Sequence, residues 1–258
     1  MTGFDIATAS GVYLGSHACG AVYLGSKRVW PASLLSMPLT FSMIEGGTLT
    51  WKASSGSYTK TIEYRINGGT WTQLTSTTAG ASITVAAGDV VEVRGSNNNY
   101  GGNSYYNFFD STGRYTLRGN IMSLVSPSFQ SLTAIPANYC FRNLFYHSAT
   151  LVDASLLCLP ATTLKTACYF GLFVQCSSLV RAPEVLPAET LVQECYRNMF
   201  YGTGVTSVKC LATSLSATNC LTNWLYNVPA SGMFIKTNGV SWPSGQSGIP
   251  TGWTVEEV

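Results

Sequence analysis

Apolar and polar residues alternate with a period of two along much of the chain between residues 38 and 125. This is the spacing at which the side chains of a β-strand return to the same face. Six short segments follow the alternation: 39–43, 48–52, 61–65, 70–74, 82–85 and 90–94. Turn-forming residues separate them, and Asn67-Gly68-Gly69 indicates a hairpin. The pattern predicts an antiparallel, immunoglobulin-like β-sandwich over residues 36–127.

One segment of this region, residues 96–110, breaks the alternation because it is rich in Asn, Tyr and Phe. We predict a loop there. Tyrosine offers rigid aromatic contact and asparagine offers adaptable hydrogen bonds, a combination typical of recognition loops. Five of its residues are therefore candidate binding residues: Asn98, Tyr100, Tyr105, Tyr106 and Asn107. The alternative is that Tyr105–Phe109 form one more strand of the sandwich.

The second half of the chain repeats a template that begins with cysteine. Its copies begin at Cys140, Cys168, Cys195 and Cys220, at intervals of 25 to 28 residues. Within a copy, apolar residues recur four positions apart, which predicts a helix with one buried stripe. A short extended segment follows each copy. Stacked units of one helix and one strand predict a leucine-rich-repeat α/β solenoid over residues 128–258.

If these units stack in register, residues at equal distances from the repeat cysteines become neighbours. Asp153 and Arg181 both lie 13 residues after their cysteines. We therefore expect them to form a lateral pair of opposite charge on the surface.

The first 35 residues contain a short duplication, because Val12-Tyr-Leu-Gly-Ser16 recurs at residues 22–26. We predict two short strands with a turn near residues 18–20. Since an isolated pair of strands is barely stable, this arm should pair with the next domain or with another chain. The predicted fold class is therefore α+β and multidomain, with a β-arm (1–35), a β-sandwich (36–127) and an α/β solenoid (128–258).

The low content of charged residues excludes several classes of function. Only 10% of the residues are charged, the net charge is +2, and no basic cluster is present, which argues against nucleic-acid binding. No apolar run reaches the ~18 residues of a transmembrane helix. The N-terminus carries no recognisable export signal. We expect neither membrane insertion nor binding of nucleic acid.

The eight cysteines contain no Cys-x-x-Cys pair, so a zinc site has little support. Their recurrence with the repeat favours buried free thiols over a metal site or disulfides. We expect no metal and no cofactor.

Catalysis has one candidate group, formed by Cys140, His147 and Asp153, which are close in sequence. They could provide a thiol nucleophile with its base. Cys140 occupies a core position of the repeat, however, and buried structural thiols are inert. Hydrolysis of glycosides would need two facing carboxylates, a pairing that the sequence does not indicate for Glu184, Glu189 and Glu194. We therefore expect no enzyme activity.

Several of these motifs resemble known families. Cys195-Tyr-Arg-Asn-Met-Phe200, the opening Leu186-Pro-Ala-Glu-Thr-Leu191 and Cys176-Ser-Ser-Leu179 resemble the BspA-like leucine-rich repeats of bacterial surface antigens. Val91-Glu-Val-Arg-Gly95 resembles the all-β module that often precedes such repeats. The opening Val-Tyr-Leu-Gly-Ser motif, with Val29-Trp30-Pro31, is similar to the N-termini of phage tail- and fibre-type virion proteins of gut bacteria.

These resemblances imply a virion protein that is made in the host cytoplasm and adheres to the bacterial surface. The implied partners are other virion proteins, contacted through the arm, and a bacterial surface glycan or protein. The resemblance to fibre proteins also implies that this chain forms a homo-oligomer. Two alternatives remain: a purely structural head or tail decoration protein without a receptor, and an adhesin on the bacterial cell surface, which would need an export element.

Overall fold

A computed structural model provides the fold, and it describes residues 34–258 together with the backbone of four short strands before them. These four strands are β1 (Tyr13–Leu14), β2 (His17–Ala18), β3 (Val22–Leu24) and β4 (Lys27–Trp30). β1 pairs with β2 and β3 with β4, both antiparallel. Each copy of the duplicated motif thus pairs with the residues that follow it. Residues 19 and 20 of the predicted turn lie outside the described residues.

The region of alternating residues forms eight strands: β5 (Leu39–Met43), β6 (Gly47–Ala53), β7 (Thr61–Ile66), β8 (Thr72–Thr75), β9 (Ala81–Val85), β10 (Val90–Arg94), β11 (Asn107–Ser111) and β12 (Tyr115–Asn120). They make one sheet in the order β12-β5-β10-β7-β8 and a second in the order β11-β6-β9, and all neighbours are antiparallel. The hairpin around Asn67 joins β7 to β8. Phe41 and Phe109 meet between the two sheets, with ring centroids 4.9 Å apart.

The α+β fold class and the α/β solenoid are wrong, because the described residues contain no helix of seven residues or more. Strand accounts for 34% and helix for 4%, so the fold is β-rich. Between residues 34 and 258, the helical residues are confined to three short 3₁₀ segments: Leu34–Ser36, Ile121–Leu124 and Phe129–Ser131. The second half is instead a stack of β-rich coils, which we call the coil stack (residues 132–257). Its strands are β13 (Leu151–Cys158), β14 (Ser207–Cys210), β15 (Gly232–Lys236) and β16 (Trp253–Glu257).

The segments that we predicted as helices are runs of tight turns at residues 138–147, 166–175, 193–202 and 218–227, called turn runs below. Every fourth residue of a turn run has a positive φ, as Tyr139, Asn143 and His147 have in the first. Residues four apart therefore share a face, as they do in a helix. This is why apolar residues at that spacing suggested helices.

Backbone hydrogen bonds explain why no helix forms. Along the first turn run, alternate N–H groups donate to carbonyls of the next coil; that of Phe141, for example, donates to Cys168 O at 2.8 Å. The N–H groups between them donate to carbonyls three residues back, as that of Tyr146 does to Asn143 O at 3.0 Å. Every N–H group from Phe141 to His147 is used in one of these two ways, so none of them makes the i→i−4 bond of an α-helix.

The sandwich and the coil stack share one hydrophobic core. β13 pairs in parallel with β12, which extends the larger sheet to six strands. Phe145 packs on Phe109 of the sandwich and on Phe173 of the next coil, at centroid distances of 6.1 and 5.5 Å. The sandwich therefore occupies the place of a preceding coil. Within the described residues, no helix has the length and apolar character needed to cross a membrane.

Candidate functional site

Two of the five candidate residues anchor the 96–110 segment from inside. Tyr100 is fully buried; its N–H donates to Cys140 O at 2.8 Å and its hydroxyl to Leu124 O at 2.5 Å. Burial raises the pKa of this phenol above its usual value. The buried side chain of Asn107 donates to Tyr100 O at 3.1 Å and accepts from Ser76 Oγ at 2.5 Å. Asn107 also opens β11, so the predicted alternative, a strand, holds for 107–109.

The exposed part of the loop is its tip, where Asn98 and Tyr105 face solvent. The ring of Tyr105 is 47% exposed and lies 6.3 Å from the ring of Tyr58, which belongs to the preceding β6–β7 connection. We call these two rings and Asn98 the aromatic tip. Nothing in the sequence pattern identified Tyr58, because it lies in a Ser- and Gly-rich segment far from the loop in sequence.

Polar contacts hold the aromatic tip in place. The Tyr58 hydroxyl donates to Gly101 O at 2.7 Å. The ammonium group of Lys60 donates to Asn99 Oδ1 at 3.3 Å and lies 4.8 Å from the centre of the Tyr58 ring. Burial raises the pKa of the Tyr58 phenol, which therefore stays protonated at neutral pH and can donate a hydrogen bond.

The coil stack fixes the other side of the loop through Arg142. Its Nη1 donates to Gly102 O at 2.8 Å and also to Asn103 O. A Cβ atom on Gly101 would lie 2.8 Å from Arg142 Cβ, so only glycine permits this close approach. Burial lowers the pKa of Arg142, but a guanidinium remains charged in proteins. These contacts hold the loop in an ordered conformation.

A second aromatic group lies beside the loop. The half-buried ring of Tyr106 contacts those of Phe108 and Tyr146, at centroid distances of 5.7 and 5.4 Å. Burial raises the pKa of Tyr106. Tyr106 thereby connects the loop to the first turn run.

The structure does not bring the candidate catalytic group together. Cys140 is fully buried, and burial raises the pKa of its thiol well above the usual value. The side chain of His147 is exposed, with its ring 4.1 Å from that of Tyr146. Asp153 pairs with Arg181 across neighbouring coils, with Oδ2 and Nη1 3.5 Å apart, which confirms the expected register.

Six buried cysteines of the described residues carry free thiols, as expected: Cys140, Cys168, Cys176, Cys195, Cys210 and Cys220. Cys19 lies outside the described residues. Over the same residues, no three His, Cys, Asp or Glu side chains gather closely enough to hold a metal ion.

Comparison with known proteins gives no relative: no family model matches the chain, and neither the curated proteins nor the solved structures contain a match.

Proposed function

We propose that this chain is a non-enzymatic binding protein of a phage particle, tail- or fibre-associated, which attaches to the bacterial surface through the aromatic tip. The observation that carries the proposal is the pair of rings of Tyr58 and Tyr105, exposed to solvent at Tyr105 and held by polar contacts beneath. An ordered aromatic surface loses little conformational entropy on binding.

The chemistry of the aromatic tip suits a glycan or a protein surface of low charge. Aromatic rings stack on apolar faces, and the exposed amide of Asn98 adds donors and an acceptor. Since the two rings and the amide are uncharged, salt should weaken such contacts little. Individually weak contacts would be multiplied by the copy number of the particle.

The particle itself is proposed on the N-terminal resemblance. The arm would attach the chain to other virion proteins, and a homo-oligomer would present several aromatic tips. A head or tail decoration protein without a receptor, or a cell-surface adhesin, would lead to different outcomes in the tests below.

Retention of the purified protein on a panel of gut bacterial strains tests this proposal. We expect retention by at least one strain, and at least a tenfold loss for Tyr105→Ala, because the exposed ring of the tip is removed. Tyr226→Ala is the matched control: its ring, on the coil stack, is similarly exposed at 38%, and its loss should leave retention unchanged.

Equal loss in both variants, or no retention by any strain, would overturn the adhesive role. Normal particle assembly together with absent retention would favour the decoration protein. Detection of the chain on uninfected, phage-free cells would favour the cell-surface adhesin.

A further inference from the structure

A polar groove of about 620 Å³ lies on the sandwich next to the aromatic tip. Its walls are the first residues of β7, the segment 94–97 that leads into the loop, and Gln73 of β8. Asn97 spans it, because its Nδ2 donates to Thr61 O at 2.8 Å. Two short segments of the chain, residues 58–63 and residues 94–99, connect the groove to the aromatic tip.

Two ion pairs cross strands β7 and β10 here, and they differ in one respect. Arg65 and Glu92 form a two-point pair, with Nε–Oε2 at 2.6 Å and Nη2–Oε1 at 2.9 Å. Arg94 and Glu63 are joined at one point only, Nε–Oε2 at 2.8 Å. Glu63 Oε1 and both Nη atoms of Arg94 make no hydrogen bond to the described residues, and both side chains line the groove.

The ring of Trp71 holds Arg94 of the one-point pair, Arg94–Glu63, in a fixed position. The guanidinium carbons of Arg65 and Arg94 lie 4.7 and 4.0 Å from the centre of this ring. A guanidinium that packs on an aromatic face still presents its N–H groups at its edge. The groove therefore contains a fixed donor edge beside a fixed carboxylate acceptor.

We propose that this groove binds a neutral, hydroxyl-rich sugar chain, whose adjacent hydroxyls accept from Arg94 and donate to Glu63. The inference rests on the proposed function, since it assigns the ligand class of the surface that carries the aromatic tip. The same sugar chain would continue from the groove to the rings of Tyr58 and Tyr105.

Charge balance selects the neutral ligand. Arg94, the arginine that lines the groove, is paired with Glu63, whose side chain is 36% exposed, whereas Arg65 and Glu92 are not among the lining residues. An acidic group seated in the groove would be repelled by the Glu63 carboxylate, and Arg94 is already paired with that carboxylate. Lys60, which forms no ion pair with the described residues, lies at the aromatic tip, where it donates to Asn99 Oδ1. A neutral sugar can use the acceptor and the donors together.

The test uses the full chain on an array of neutral and acidic oligosaccharides, with Glu63→Gln compared with Glu92→Gln. Both variants replace a carboxylate by an amide in an ion pair of this sheet. We expect the parent protein to bind neutral oligosaccharides. Glu63→Gln should weaken this binding about tenfold, because the variant loses a hydrogen bond to a charged acceptor. Glu92→Gln should leave the affinity unchanged, and thermal unfolding shows that each variant is folded.

Binding to acidic oligosaccharides alone, no binding to the array, or equal effects of both variants would overturn the groove assignment. Its failure is distinguishable from failure of the proposed function. Retention on cells that depends on Tyr105 but not on Glu63 leaves the adhesive role in place and removes the groove from it. Loss of cell retention altogether removes both.

Discussion

Burial decides the chemistry of the repeated cysteines. Cys140, Cys168 and Cys195 are fully buried at the same position of successive coils. Burial raises the pKa of the Cys168 thiol to about 12, and that of Cys210 likewise to about 12. A thiol that remains protonated is a poor nucleophile and a poor metal ligand, so these residues serve as small apolar side chains.

The raised thiol pKa values predict that the protein loses stability at alkaline pH. The folded state holds these protons more tightly than the unfolded chain, in which a thiol has a pKa of about 8.5. The free energy of unfolding is therefore at its full value below that pH and falls as the pH rises toward about 12, the folded-state pKa of Cys168. Urea unfolding at a series of pH values between 8 and 11 measures the slope.

Cys168→Ala is the control for this prediction. It removes one thiol that titrates only in the unfolded chain, so above about pH 9.5 the slope should become shallower by about 1.4 kcal/mol per pH unit. Buried phenols such as Tyr169 contribute to both proteins and cancel in the comparison. Identical slopes would show that Cys168 is not protected in solution.

Single residues of the loop were only partly predictable. The amide and aromatic content of residues 96–110 identified the exposed Asn98 and Tyr105. It could not separate them from Tyr100 and Asn107, which have the same side chains but are buried. Burial there depends on the first coil, because Cys140 O accepts from the N–H of Tyr100. That contact joins residues 40 positions apart, and no local pattern reveals it.

At the scale of elements, the strands were predictable and the turn runs were not. Alternation identified β5, β6, β7, β9 and β10 because the period of two is peculiar to extended chain. A period of four is shared by a helix and by a turn run. The distinguishing residue was an asparagine or glycine at the middle positive-φ position of each turn run, as at Asn143, Gly171 and Asn198, since both types tolerate positive φ and are poor helix formers.

A substitution series at Asn223 discriminates between these two elements. Its φ is +54°, a left-handed conformation that costs an alanine roughly 1 kcal/mol or more relative to glycine. We expect the free energy of unfolding to fall in the order Gly, Asn, Ala, Val. In a helix, alanine would be the most stable and glycine among the least stable.

Chemical denaturation of the three variants, Asn223→Gly, Asn223→Ala and Asn223→Val, measures this order. Asn238, which does not have a positive φ, supplies the control, because Asn238→Gly should bring no gain in stability. A more stable Asn223→Ala variant would contradict the turn run and restore the helix.

At the scale of the whole molecule, the two regions that the sequence suggested as separate domains, 36–127 and 128–258, share one hydrophobic core. Phe145 contacts Phe41, Phe109 and Phe173, so its ring belongs to both regions. The predicted boundary follows a change of sequence period. Such a change marks a change of element type but says nothing about which apolar faces pack together.

We therefore predict that both regions unfold in one cooperative transition. Two buried indoles report on them: that of Trp51 donates to Lys60 O in the sandwich, and that of Trp224 donates to Gly248 O in the coil stack. Their indole N–H resonances should disappear at the same urea concentration. Phe145→Ala should lower both midpoints, with a cost of about 3–5 kcal/mol. Two distinct midpoints in the parent protein would refute the single unit.

The ladder of backbone bonds between coils also limits how such a chain can change its length during evolution. Alternate N–H groups of one turn run donate to the next coil, and those between them donate within the run. Inserting or deleting one residue would therefore exchange these two roles along the rest of that turn run. Adding or removing a whole coil keeps the pattern of hydrogen bonds between neighbouring coils. Divergence in size should therefore proceed in complete coils, while the sandwich stays unaltered.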